Sequence, residues 1–357
     1  MSFRYNQTAG TICTALRFQN TIVPMTLMRL DFWMFMGLHC LFLLLYHKGV
    51  IPEDSQQKHS PWRVSWNDMK ILTAITTFFE VFYTNQCYNR YKAGYSSTMH
   101  MFRSVIRASF ESNLHLREQS PQHVFLGNRY HLAAMLVFFD GVVYQRDDLT
   151  KGFADRILEE SEKKYLAYFE PEHRPLVLLQ WSGEIFQEAH TTSRAPANIL
   201  KSITDKVLRT RIYMQEVVDM KMLPMPFQYF HLLNVMLCVN CSLWAYLMGT
   251  TFSIAATISF IICLVIFLGM VHLANGLSDP FGEDEVDFPM QQWLEEVWIL
   301  VVRLSNSNCF HKDKAWVSQV AKENDLVHPA KPRNPHTKAL ESKLAKGSSF
   351  FSGGRSC

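Results

Sequence analysis

The sequence predicts an all-α membrane protein with four transmembrane helices and a large cytosolic helical region. Two observations carry this. Met222 to Ser278 holds no Asp, Glu, Lys or Arg across 57 residues, enough for two helical crossings of ~20 residues each. Asn85 to Lys221 is densely charged, with apolar positions recurring three and four apart, as on amphipathic helices. A third feature follows the uncharged run: five carboxylates within nine residues, Asp279, Glu283, Asp284, Glu285 and Asp287. Like charges this close repel by about 3 kcal/mol per pair at ~5 Å and an effective dielectric of ~20. An ordered loop therefore needs a cationic partner, and a hard divalent cation takes several oxygen ligands.

Composition narrows the class. The chain has 357 residues and a net charge of +3, too small for a nucleic-acid partner. Mean hydropathy near zero averages an apolar part and a charged part. Eight scattered cysteines make no disulfide framework. Cys238 and Cys241 have CxxC spacing inside an apolar run, where two small side chains packed in a membrane helix are the expected reading.

The elements follow in order. Residues 1–29 form a cytosolic N-terminal segment, with Arg4, Arg17 and Arg29 and no acid before Asp31. This reads as a basic flank rather than an organelle transit peptide. Residues 30–84 carry the first two spans. Leu30 to Tyr46 is the first, with Trp33 and Tyr46 suited to the interfacial aromatic belt. Val50 to Trp66 is a polar loop with Pro52 and Pro61. Lys70 to Tyr83 is the second span, short and containing Lys70 and Glu80. Polar groups at membrane depth need protein or water partners, so this helix is expected to line a water-filled path. Ile71, Ile75 and Phe78 or Phe79 keep one apolar stripe.

Within the cytosolic region, residues 85–221, helices are expected at Ser161–Phe169, Pro175–Glu188 and Ala197–Val218, with a break at 194–198. Residues 222–278 hold Pro226–Gly249 and Thr251–Asn275, joined by an uncharged turn. Four spans place both termini and the 85–221 region on one side, which its Arg and Lys residues mark as cytosolic or its organelle equivalent. The acidic stretch and a helix over Met290–Leu304 make up 279–310. Residues 311–357 are Lys-, Ser- and Gly-rich and read as mostly disordered.

Two segments together resemble the bestrophin family of anion channels. Asp279-Pro-Phe-Gly-Glu-Asp-Glu-Val-Asp-Phe288 is similar to the family's NPFGEDDDDF-type cluster. Val81-Phe-Tyr-Thr-Asn-Gln-Cys-Tyr-Asn-Arg-Tyr91 is similar to the VFRTNQ-YDRWW pattern of plant, algal and bacterial members. The resemblance covers about residues 1–305. It implies a homopentamer in the lipid bilayer around one central pore, conducting small inorganic anions such as chloride, bicarbonate or nitrate.

The resemblance places the pore neck at Asn67, Ile71 and Ile75, with Phe78 or Phe79 one turn deeper, and a cytosolic aperture at Met225. Asn67 departs from the family's apolar residue there, and Tyr83 stands where the family has Arg. It further implies a Ca2+ clasp with the carboxylates of Asp284 and Asp287. Carbonyls would come from Gly276 and Asp279, and from Gly10 (or Ala9) of a neighbouring subunit. The expected function is therefore a bestrophin-like anion channel gated or stabilised by calcium.

The same fold without calcium control is the alternative, and a secondary transporter is a further one. No inverted repeat supports the transporter. A membrane enzyme would need converging ligands or a nucleophile motif, and no HExxH or GxSxG is present. The residues leave the membrane open, whether plasma membrane or an organelle membrane such as the thylakoid.

Overall fold

The computed structural model describes residues 21–52, 64, 66–223, 225–251, 253–282 and 286–306. Among these residues every regular element is a helix. The chain divides into two compact units, Met1–Val301 and Val302–Cys357. Only the end of the last helix is described in the second, and the architecture below is that of the first. The reading of 311–357 as disordered lies outside the described residues.

Helices α1 (Ile22–Leu27) and α2 (Leu30–His47) open the described chain. They are followed by α3 (Trp66–His115), α4 (Pro121–Phe138), α5 (Glu160–Leu166), α6 (Arg174–Ser193) and α7 (Ala197–Met222). The chain then forms α8 (Phe227–Thr250), α9 (Ile254–Ser278) and α10 (Met290–Asn306). A π-helical turn, Phe139–Val143, extends α4, and a 3-10 turn, Ala154–Arg156, precedes α5. Three helices are long and apolar enough to cross a membrane: α2, α8 and α9.

The expected second span, Lys70–Tyr83, is the upper part of a 50-residue helix. The boundary drawn between residues 84 and 85 therefore cuts through one continuous element. Its sequence has no proline, and Gly94, the lone glycine, is a close-packing point. A Cβ there would lie 3.1 Å from the Met220 side chain on α7. At ~1.5 Å per residue, α3 is about 75 Å long, more than twice the ~30 Å of a bilayer core. It is therefore far longer than a single crossing requires. Among its buried positions, Met69, Thr76, Glu80, Tyr83, Cys87, Gly94, Thr98, Met101, Val105, Ala108 and Ser112 recur three, four or seven apart, and Phe102, Ser104 and Ser109 widen the seam in the lower half. That spacing keeps one seam of the helix inside protein over its whole length.

Two hydrophobic cores sit along this seam. The upper one joins Tyr83 and Cys87 of α3 to Phe32 of α2, to Leu233, Leu237 and Cys241 of α8, and to Phe260, Leu264 and Leu268 of α9. In it, His39 of α2 stacks on Phe260 with centroids 4.7 Å apart. The His39 ring nitrogens lie 3.2 Å from Ala245 O and 3.2 Å from Thr257 Oγ1, so the imidazole is hydrogen-bonded between helices. Helix α1 lies within the segment expected to be a cytosolic flank, and it packs instead on α9. A Cβ at Gly269 would approach Ile22 Cγ2 to 3.2 Å.

The lower core joins Met101, Phe102 and Val105 of α3 to α4, α6 and α7. Here α4 is the centre, with Leu132 to Phe138 wholly buried. The second half of α4 is buried on every side and so has no amphipathic signature, which is why periodicity did not single it out. The expected helices at 161–169, 175–188 and 197–218 are present, at Glu160–Leu166, Arg174–Ser193 and Ala197–Met222. The expected break falls at Arg194, whose φ of 53 ends α6 in the left-handed region. Charges that enter this core are paired. Arg129 grips Glu162 through two nitrogens at 3.1 and 2.6 Å, and Tyr130 OH donates to the same carboxylate at 2.8 Å. Arg174 donates to Leu166 O, Phe169 O and Asp147 O.

His131 of α4 is buried against α7. Its Nε2 donates to Thr210 Oγ1 at 2.9 Å, and that hydroxyl donates on to Lys206 O at 3.1 Å. Burial alone lowers its pKa from 6.5 to about 3. The folded state thus refuses a proton that the unfolded chain accepts below 6.5. The stabilisation is full above that pH and is lost as pH falls toward 3, at ~1.4 kcal/mol per unit. Thermal or denaturant unfolding of the purified protein at pH 6.5 and pH 5 should show a loss of about 2 kcal/mol from this residue. In the same comparison His131→Gln should flatten the pH dependence over that interval.

Candidate functional site

The upper half of α3 is fastened on one face and uncovered on the other. On the fastened face, Thr73 Oγ1 donates to Asn240 Oδ1 at 2.9 Å and accepts from Trp244 Nε1 at 3.0 Å. Tyr229 OH donates to Phe79 O at 2.8 Å, and Tyr83 OH to Asn275 Oδ1 at 2.9 Å. These bonds satisfy polar groups enclosed between apolar helices, where an unpartnered one is costly. Tyr83, standing where the resembled pattern has Arg, is thus a link between α3 and α9. Glu80 lies on the same face, 3 % exposed, and its Oε1 has no hydrogen-bond partner among the described residues.

The uncovered face carries Asn67, Ile71, Ile75, Phe78, Val81 and Phe82. Ile71 and Phe78 are 62 % and 68 % exposed. At ~100° per residue, Asn67, Ile71, Phe78 and Phe82 share a sector about 60° wide, with Ile75 at its edge. Phe79 belongs elsewhere: it is partly buried against the upper core, its ring 5.9 Å from Tyr229. Of the two phenylalanines offered for the turn below Ile75, Phe78 is the one on this face. Phe82 was missed from sequence. The signal for it was the four-residue step from Phe78.

Met225 is partly buried and packs on the upper core, whereas Met222 and Leu223, both 76 % exposed, project at this level. The Leu223 carbonyl accepts from Arg90 Nη1, which pins the α7–α8 connection to α3.

Below this, the acidic turn closes on α3 as well. The Phe288 N–H donates to Pro280 O at 3.0 Å. Tyr91 OH donates to Val286 O at 3.0 Å, and its ring lies 4.7 Å from Phe288. Phe288 also meets Phe281 and Trp293, with centroids 5.5 and 5.4 Å apart. Gly276 of α9 faces Val286, where a Cβ would meet Val286 Cγ2 at 3.0 Å. A Cβ on Gly282 would sit 2.7 Å from Asp287 Oδ2 and 3.7 Å from Asp279 O. Asp287, the Asp279 carbonyl and Gly276 are therefore brought into one turn.

Asp284 and Gly10, the other expected ligands, lie outside the described residues. Among the described residues no three His, Cys, Asp or Glu side chains converge to hold a metal. What the turn does present is oxygen from a carboxylate and a carbonyl, the donor type a hard divalent cation takes. Cys238 is exposed and Cys241 buried on successive turns of α8, as ordinary helix residues.

The sequence profile described as Bacterial/Fungal Bestrophin protein matches residues 12–301. No curated protein matches the chain. Several solved structures share its fold. A crystal structure of a bacterial bestrophin homologue from Klebsiella pneumoniae, phased on zinc, superposes with a TM-score of 0.61 at 16 % identity. It covers 77 % of this chain and 99 % of that one. A single-residue variant of the Klebsiella homologue gives 0.61 at 15 % identity over 76 % and 99 % of the two chains. A structure described only as a membrane protein variant gives 0.63 at 14 % identity over 78 % and 98 %. With a family profile spanning both cores, the uncovered helix face and most of the acidic turn, the chain belongs to the bestrophin family.

Proposed function

We propose that the protein is an anion channel in which five subunits surround one pore lined by the uncovered face of α3. The observation that carries this reading is the asymmetry of that helix. One face is hydrogen-bonded to α8 and α9 at three levels, Thr73, Phe79 and Tyr83, and the opposite face, at the same depth, is exposed. Lipid is a poor partner for a face that begins at Asn67 and continues into Asn85. This helix also falls outside the set apolar enough to span on its own. Neighbouring copies and a water-filled axis answer both points. In this arrangement α2, the upper part of α3, α8 and α9 are the four spans.

The neck is then a ring of Ile71, Ile75, Phe78 and Phe82 side chains. Such a ring gates by dewetting: a slight narrowing expels water, and widening readmits water and ion together. Five α3 N-termini, starting at Trp66, bring partial positive charge to the outer mouth, where Lys70 adds more. Chloride, nitrate and bicarbonate all fit this chemistry. Purified protein in planar bilayers should give anion-selective current. Phe82→Ala and Phe78→Ala should each raise conductance several-fold by widening the ring. A cation-selective current would overturn the reading.

The acidic turn is the proposed calcium clasp, held by Asp287 and the Asp279 and Gly276 carbonyls here, with Asp284 and a neighbour's Gly10. Bound calcium would neutralise the carboxylates and hold the turn closed. Tyr91 joins the turn to α3 about 14 Å below Phe82, so tightening there bears on the neck helix. Gly282→Ala should displace the Asp287 carboxylate and weaken calcium activation about tenfold or more, read as current across a calcium titration. Asp284→Ala should do the same. A parent current that ignores calcium would favour the calcium-independent channel. That second reading has its own support in the Tyr91–Phe288–Trp293 cluster, which closes the turn through protein contacts alone.

A further inference from the structure

The uncovered face of α3 does not end with the neck. Below Phe82 it continues as Asn85, Asn89, Lys92 and Ser96, all exposed, while Cys87, Gly94 and Thr98 on the opposite side are buried. At ~100° per residue these four positions fall in the same ~80° sector as Ile71, Phe78 and Phe82. The face therefore changes along its length, from apolar to amide to cationic. Lys92 lies about 15 Å below Phe82, beyond the membrane-depth part of the helix.

The charge balance along this face is one-sided. From Met69 to Ser96 the helix holds one carboxylate, Glu80, and it is buried on the opposite side. Two cations share the lower part. Arg90 is partly buried and donates to the Leu223 carbonyl. Lys92 is exposed and, among the described residues, meets no carboxylate. Buried cations elsewhere behave differently. Lys163 lies 2.6 Å from Asp155, and Lys206 lies 2.9 Å from Glu111. Lys92 keeps a full positive charge on the face that the channel reading turns toward the axis.

We infer that Lys92, with the amides of Asn85 and Asn89 above it, forms an anion-binding ring at the cytosolic end of the neck. This rests on the pore reading. Each subunit supplies one ammonium and two amide donors, which suit a halide or a small oxyanion such as nitrate or bicarbonate. Five ammonium groups around one axis raise the local anion concentration where ions enter from the cytosolic side. A charge acting this way is strongly salt-dependent. It reaches ~10 Å at 0.1 M and only ~3 Å at 1 M ionic strength.

The test uses the full-length assembled channel in planar bilayers, with single-channel current read in symmetric KCl at about 0.02 M and about 1 M. Lys92→Gln should lower conductance at low salt by about threefold or more, chiefly for anions leaving the cytosolic side, and the deficit should vanish at high salt. Lys92→Arg should conduct like the parent, and Lys92→Glu should fall below Lys92→Gln. A merely structural role would not be erased by salt or rescued by arginine. If the parent conducts anions and Lys92→Gln and Lys92→Glu match it at low salt, the ring is overturned and the pore reading stands. A parent without anion current overturns both.

Discussion

A backbone at membrane depth must satisfy its own N–H and C=O groups, and a helix does this without help from neighbours. Helix α3 does so for 50 residues, from the upper core into the lower one. One continuous seam holds it in both cores. Tyr83 and Cys87 belong to the upper core, and Met101, Phe102 and Val105 to the lower. Because the helix is unbroken, a displacement at its lower end has a stiff path to the neck of the proposed channel. The molecule is organised around this shared element, and its two cores would otherwise be separate folding problems.

The seam also settles which side chains are left over. Once Thr73, Phe79 and Tyr83 are engaged by α8 and α9, Ile71 and Phe78 stay largely exposed, and Phe82 is covered only in part by the Tyr229 ring. A bare apolar strip flanked by amides is a poor lipid surface and a good wall for a narrow wet path. The acidic turn is held against the same helix lower down, through Tyr91 and Phe288. Sensor and neck in the proposed channel thus meet on one rod rather than through a chain of loops.

Charges divide along the same line. In the lower core they are placed against partners, as with Arg129 and Glu162 or Lys206 and Glu111, because an unpaired buried charge is expensive. On the uncovered face of α3 the balance is left positive. Glu80 is the exception, a carboxyl buried behind the neck with an unpartnered oxygen. Its place against α8 and α9 makes it part of how α3 is seated rather than of the face ions would meet.

By itself the sequence determined the class. The 57-residue uncharged run, the charged helical interval and the acidic cluster were enough for a helical membrane protein with the family's outline. Ile71 and Ile75 were legible as one stripe because helical periodicity is local, whereas periodicity leaves the choice between Phe78 and Phe79 open. The tertiary structure decided what depends on partners distant in sequence. Phe79 turns inward, packed on the upper core beside Tyr229 of α8, while Phe82 touches the same ring edge-on at 5.8 Å and stays 46 % exposed. The central helix α4 was illegible for a related reason: burial on every side removes the period by which a helix is recognised. That α3 runs unbroken across the expected domain boundary also needed the fold. Continuity depends on α7 and α9 packing along it, which no local pattern records.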